Sequence, residues 1–194
     1  MQKVGITGGI GSGKSTISTI IKTLGYPVYN ADYESKVIIN TNPEVIRNVK
    51  KLFGESIYIN GELNREKVAQ IVFSDTSMLQ KLNSIIHPAV AEHFNCWVTS
   101  NSAHSIVFKE AAILFESGAY KQVDKIIAVW APKELRISRI CQRDKVSRND
   151  VVKRMENQLS DDEVIKRSDF LIKNDEEHLL TPQINSIIDS LTNS

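Results

Sequence analysis

The chain has 194 residues, 41% of them hydrophobic, with Lys+Arg 24 against Asp+Glu 23 and a formal net charge of +1. That length supports one sizeable core with at most a small appended subdomain, and the near-neutral balance gives no overall field for nucleic acid or an anionic membrane. Cys96 and Cys141 are too few for a zinc set and too far apart in sequence for C-x-x-C; a secretory signal is not expected and no apolar run reaches bilayer length, so the expectation is a reduced, cytoplasmic, single-domain protein.

Lys3-Val4-Gly5-Ile6-Thr7 is short, apolar and β-branched and predicts a strand, while Ile17, Ile20, Ile21 and Leu24 recur at helical spacing. Between them, Gly8-Gly9-Ile10-Gly11-Ser12-Gly13-Lys14-Ser15 fits G-x-x-x-x-G-K-[ST], the phosphate-binding P-loop. Glycines let backbone N–H groups turn inward on phosphate oxygens without Cβ clashes, and the helix behind them adds a favourable dipole. In this reading Lys14 reaches the β- and γ-phosphates of ATP and the Ser15 hydroxyl is a ligand for Mg²⁺. A chance glycine-rich match is disfavoured, because the motif sits between the strand and the helix that it requires.

Gly25 stops the first helix, and Pro27-Val28-Tyr29 predicts a strand ending at Asn30-Ala31-Asp32. In a parallel α/β sheet the strand carboxyl ends share an edge with the P-loop, so Asp32 can orient an attacking hydroxyl, accept its proton or hold Mg²⁺ through water. The plainer reading is a solvated Asp at the start of the next helix. From there to about Ser100 the pattern is almost wholly helical. Asn42 reads as an N-cap ahead of Pro43, with Val45, Ile46, Val49, Leu52 and Phe53 on one face and Gly54 at the end. Asn60-Gly61 predicts a turn, and Asn64 caps a helix that turns Val68, Ile71, Val72 and Phe73 inward. Met78, Leu79, Leu82, Ile85 and Ile86 continue to His87-Pro88, where proline is expected to break the helix or start another; Val90, Phe94, Trp97 and Val98 form the next stripe.

Ser105 to Glu110 predicts a buried strand whose terminal Glu110 stands where P-loop proteins often place a carboxylate near Mg²⁺; Glu116 reads as a partner for a basic side chain. Lys125 to Ala131 predicts another strand. Arg136, Arg139, Arg143, Lys145, Arg148, Lys153 and Arg154 then face only Asp144 and Asp150 over the stretch from 136 to 154. Such a run usually decorates a solvated helix, but beside a triphosphate site an arginine-bearing lid is the better account, since guanidinium groups neutralise charge in phosphoryl transfer. Ser168 to Asn174 predicts a last strand and Leu179 to Leu191 a last helix.

The chain resembles the dephospho-coenzyme A kinase family over nearly its whole length. The resemblance is carried by Gly5 to Ser15, Asn30-Ala31-Asp32, Gly61-Glu62-Leu63-Asn64-Arg65, Leu82 to Pro88, Ile113-Leu114-Phe115-Glu116, Gln142-Arg143-Asp144 with Ser147-Arg148, Arg154 with Gln158, and Asp169 to Asn174. It implies a three-layer α/β/α P-loop nucleotide kinase fold with a five-stranded parallel sheet, whose core is 1–32, 101–135 and 159–194, with a helical CoA-binding insertion at 33–100 and a lid at 136–158. It also implies transfer of the ATP γ-phosphoryl group to the ribose 3′-hydroxyl of dephospho-CoA, the last step of coenzyme A synthesis.

By the same resemblance, Asp32 is the acid/base residue with Lys14 beside it in catalysis. Gly9, Gly11, Ser12, Gly13, Lys14, Ser15, Thr16, Arg139 and Arg143 contact ATP, Asp32, Arg65 and His87 contact the acceptor, and Ser15 binds the metal. Asn30 replaces the first aspartate of the family's D-A-D, keeping polarity but removing a charge, and Ala112 replaces a common proline. The expected partners are ATP and dephospho-CoA, with no nucleic acid or membrane, and the expected state is a monomer. The alternative within enzymes is a nucleoside or nucleoside monophosphate kinase; a GTP-dependent switch lacks its N-K-x-D motif here, and a regulatory module without turnover leaves Asp32 and the arginines unexplained.

Overall fold

A computed structural model describes residues 1–193, apart from the side chains of Phe73 and Thr76, so the inward direction expected of Phe73 lies outside the described residues. The strands are β1 (Gln2–Thr7), β2 (Val28–Asn30), β3 (Tyr58–Ile59), β4 (Glu62–Leu63), β5 (Ile106–Glu110), β6 (Lys125–Trp130) and β7 (Phe170–Lys173). The helices are α1 (Lys14–Thr23), α2 (Ala31–Thr41), α3 (Pro43–Phe53), α4 (Arg65–Ser74), α5 (Thr76–Ser100), α6 (Lys133–Asp144), α7 (Arg148–Glu156), α8 (Asp161–Lys166) and α9 (Leu180–Thr192). They fall into two compact units, Met1–Asn30 with Asn101–Ser194, and Ala31–Ser100.

The first unit is built on a five-stranded sheet in the order β2-β5-β1-β6-β7, every neighbouring pair parallel. The chain leaves central β1 for the β2 edge and later returns to β6 on its other side, so strand order reverses at β1. Ligands of open α/β sheets bind beyond the strand carboxyl ends at such a switch point, which is where the loop after β1 lies. Buried on both faces, these strands read as continuous apolar runs. Val4, Ile6, Phe108, Ile127 and Val129 pack against Ile17 and Ile21 of α1 and Ile184, Ile187, Ile188 and Leu191 of α9. This apolar seam fixes α1, and hence the loop that precedes it, against the sheet.

Lys109 lies in β5 at 1% exposure, and its Nζ donates to Gln122 Oε1 at 2.6 Å. Nearby in sequence, the Phe115 ring carries the Arg167 guanidinium 4.2 Å above it. A lysine so enclosed loses hydration that favours its charged form.

In the second unit, Asn42 caps α3 as its sequence predicts, its side chain accepting from the Glu44 and Val45 N–H groups at 3.0 and 3.1 Å. Asn64 caps α4 through the Lys67 N–H at 3.0 Å. The Asn60-Gly61 turn has φ of 52° and 85° and joins β3 to β4 in a short antiparallel hairpin, an element that a helical reading of this region had no place for. Tyr58 Oη anchors it by donating to the Ile39 carbonyl at 2.7 Å.

The expected break at His87-Pro88 does not occur: α5 runs 25 residues with Pro88 inside it. Proline removes one helical donor, but Leu82 and Ile86 before it and Phe94 after it are all buried, and packing on both sides of the proline outweighs the lost bond.

Burial pushes the Lys109 ammonium down to about 8 from its ordinary 10.5. Between those values the folded protein has released a proton that the unfolded chain still holds, so stability rises with pH there, by up to about 1.4 kcal/mol per unit. Urea unfolding at pH 8 and pH 10 is expected to show this rise in the wild type and its loss in Lys109→Met; matching profiles would mean that Lys109 does not titrate in this window.

Candidate active site

The loop from Gly8 to Gly13 joins β1 to α1 and uses left-handed or otherwise glycine-favouring backbone at Gly11 (φ 81°) and Gly13 (φ 96°). A Cβ on Gly13 would run into the Asn174 side-chain amide, so glycine there serves both the turn and the approach of a neighbouring segment. Lys14 is nearly buried, and its Nζ donates across the loop to the Gly8 and Gly9 carbonyls at 2.8 and 3.2 Å. Ser15 and Thr16 are exposed in the first turn of α1.

Of the loop's donors, the Ser12 N–H is engaged by the Gly9 carbonyl at 3.1 Å and the Ile10 N–H by Gln158 Oε1 at 2.8 Å. The Ser12 Oγ is buried with no hydrogen-bond partner among the described residues. Asn174 Nδ2, just beyond β7, donates to the Ser12 carbonyl at 2.8 Å, and Arg136 Nε, from α6, donates to the Ile10 carbonyl at 2.9 Å.

Glu110 ends β5 in register with Ile6 on one side and Asn30 on the other, which sets it beside the exit of β1 into the loop. It is 6% exposed and accepts from Asn30 Nδ2 at 3.2 Å. No lysine, arginine or histidine pairs with it among the described residues, and a buried carboxylate with one amide donor is suited to a cation. Glu116, read from sequence as the partner of a basic side chain, instead accepts from the Leu159 N–H at 3.1 Å.

The basic stretch divides by partner. Arg139 donates to the Asn174 carbonyl at 3.1 Å and pairs with Glu176 at 3.2 Å, while Arg143 pairs with Asp144 at 2.7 Å and Arg148 with Glu134 at 2.7 Å. Arg136 differs from these in being buried, at 5% exposure. Arg136, Gln158 and Asn174 touch the loop; Gln158 and Asn174 fall in stretches that carry the family resemblance, but no spacing in the sequence places any of the three at the loop.

Asp32 is the second residue of α2, exposed, and follows β2 by two residues in the chain. A carboxylate in a helix's first turn meets the positive end of the helix dipole. Arg65 opens α4 and is exposed. His87 is half-buried inside α5, and that burial lowers its pKa below the ordinary histidine value, favouring the neutral imidazole.

A parallel sheet of this order, with G-x-x-x-x-G-K-S leading from its central strand into a helix, defines a P-loop nucleotide-binding fold, and the relatives of the chain make it an ATP-dependent kinase of that class. More narrowly, the chain belongs to the dephospho-CoA kinase family, whose profile matches residues 2–179. A dephospho-CoA kinase of Bacteroides fragilis is 42% identical over 186 residues, covering 96% of this chain and 91% of that protein. Among solved structures, one from Thermus thermophilus superposes with a TM-score of 0.83 at 30% identity, covering 99% of this chain and 96% of that one. The dephospho-CoA kinase of Campylobacter jejuni superposes with a TM-score of 0.72 at 27% identity over 98% of this chain and 97% of that one. No helix among the described residues is long and apolar enough to cross a membrane.

Gly13→Ala places a methyl group where the Asn174 amide sits and holds an L-residue at φ 96°. A stability loss of about 1–3 kcal/mol is expected by urea unfolding; an unchanged midpoint would show that this loop geometry is not held in solution.

Proposed function

We propose that this chain transfers the γ-phosphoryl group of ATP to the ribose 3′-hydroxyl of dephospho-CoA, giving CoA and ADP. The observation that carries this reading is the match to the dephospho-CoA kinase family over residues 2–179, on a chain that keeps the complete P-loop. The small-molecule substrates are ATP and dephospho-CoA.

Phosphoryl transfer needs positioning and charge neutralisation more than covalent chemistry from the protein. Backbone N–H groups of the loop and the start of α1 hold the phosphates, and the Lys14 ammonium, already bridging two loop carbonyls, is placed to exchange those contacts for phosphate oxygens. Arg139 and Arg143 offset charge as the bond to ADP loosens. Asp32 aligns the acceptor hydroxyl and takes its proton, while Arg65 and His87 contribute to acceptor binding. Asn30 cannot take a proton; its amide instead orients Glu110.

The Ser15 hydroxyl and, through water, the Glu110 carboxylate are the groups that would hold Mg²⁺, which when bound neutralises charge on the transferring phosphates. The buried, cation-free setting of Glu110 fits that use. The helical unit Ala31–Ser100 carries the coenzyme side of the acceptor, and the segment 136–158, held to the loop at its Arg136 and Gln158 ends, closes over ATP between them to keep water from acting as acceptor.

Purified protein with MgATP and dephospho-CoA is expected to yield CoA and ADP stoichiometrically; faster turnover of AMP or thymidylate would select the nucleotide kinase reading instead. Asp32→Asn should bind ATP as the wild type does while turnover falls at least about a hundredfold, the scale of lost acid/base help. Undiminished turnover would remove Asp32 from the chemistry. Glu110→Gln should leave metal-free ATP affinity unchanged yet weaken Mn²⁺ binding to the ADP complex, read by electron paramagnetic resonance; equal Mn²⁺ affinity would show that the carboxylate does not serve the metal.

A further inference from the structure

In a trans peptide the C=O of one residue and the N–H of the next point in opposite directions, so whatever fixes a carbonyl also aims the following amide. Two carbonyls in this loop are fixed by side chains brought from far along the chain. The Ile10 carbonyl accepts from Arg136 Nε at 2.9 Å, and the Ser12 carbonyl accepts from Asn174 Nδ2 at 2.8 Å. The amides that follow them belong to Gly11 and Gly13, the glycines with φ of 81° and 96°. The intervening donors are held in other ways, Ile10 N–H by Gln158 and Ser12 N–H by Gly9.

Each anchor is itself anchored. Arg136 Nη1 contacts both carboxylate oxygens of Asp161, at 2.6 and 2.5 Å, which neutralises a guanidinium that would be costly to bury alone. The Ile10 side chain packs with Ile137 and Ile140 of α6 and Val151 of α7, which holds the Ile10 end of the peptide that Arg136 grips beside that helix. Arg139 donates to the carbonyl of Asn174 and so steadies the second anchor.

The geometry points to Arg136 and Asn174 as positioning residues that aim the Gly11 and Gly13 N–H groups, respectively, at the nucleotide phosphates. Neither side chain needs to touch the phosphates. Arg136, a member of the basic run, acts on the loop's main chain, with Asp161 holding its charge. This inference deepens the phosphotransferase reading and rests on it only as far as nucleotide binding.

The test follows the backbone amides of Gly11 and Gly13 by NMR while MgADP is added, a probe that reports phosphate binding whatever the acceptor is. In the wild type both resonances are expected to shift on binding. Arg136→Gln should silence the Gly11 response and spare Gly13, and Asn174→Ala should do the reverse, each with MgADP affinity reduced roughly tenfold, the scale of one hydrogen bond to a charged group. The KM for dephospho-CoA should stay within about twofold, since loop amides do not meet the acceptor.

Equal responses of both glycines in both variants, or unchanged MgADP affinity, would overturn the assignment. If Arg136→Gln does not fold because Asp161 loses its partner, the paired change Arg136→Gln with Asp161→Asn removes both charges and carries the same expectation at Gly11. Wild-type protein that binds MgADP but does not phosphorylate dephospho-CoA would refute the acceptor, and the glycine responses would still decide the inference.

Discussion

A loop that turns N–H groups toward an anion must turn carbonyls away from it, and those carbonyls need donors of their own or the loop does not hold its shape. In this protein nearly every one is matched. The Gly8 and Gly9 carbonyls take the Lys14 ammonium, the Gly9 carbonyl also takes the Ser12 N–H, and the Gly13 carbonyl takes the Thr16 and Ile17 N–H groups. Ile10 and Ser12 are supplied by Arg136 and Asn174. The cradle of amides is therefore prepared before any anion arrives, and the reorganisation left to the binding step falls on the Lys14 side chain.

That constraint gives Arg136 of α6, Asp161 of α8 and Asn174 just beyond β7 a part at the loop that needs no contact with phosphate, separate from the one proposed for Arg139 and Arg143. Arg136 reaches the loop only because Ile137 and Ile140 seat α6 beside Ile10, and Asn174 reaches it because β7 pairs in parallel with β6 up to Lys173. Sheet register and a small apolar cluster thus translate directly into the direction of two amide bonds. The same register carries Glu110 to the edge of the loop and sets Asn30 against it, so that one strand's amide holds the neighbouring strand's carboxylate.

Charge is handled differently in the two halves of the basic run. Arg143, Arg148 and Arg154 are themselves exposed and pair at the surface with Asp144 and Glu134, arrangements that contribute little to stability. Arg136 is buried with Asp161 and is structural in its immediate contacts. A count of arginines in the sequence treats all of these alike, although their burial gives them opposite freedom to meet a phosphate.

Signals that operate within a few residues were legible from the amino-acid order: the phosphate loop between an apolar strand and an amphipathic helix, the Asn42 and Asn64 caps, the Asn60-Gly61 turn and the buried strands. Each depends on local backbone geometry or on side-chain period, and both are written in neighbouring residues. The persistence of α5 through Pro88 was decided elsewhere, by buried side chains on either side of a locally unfavourable residue. So were the partners of Ile10 and Ser12, which lie 126, 148 and 162 residues away along the chain. No spacing rule connects residues at such separations; only the strand order 2-5-1-6-7 and the packing of α6 and α7 bring those side chains to the loop they hold.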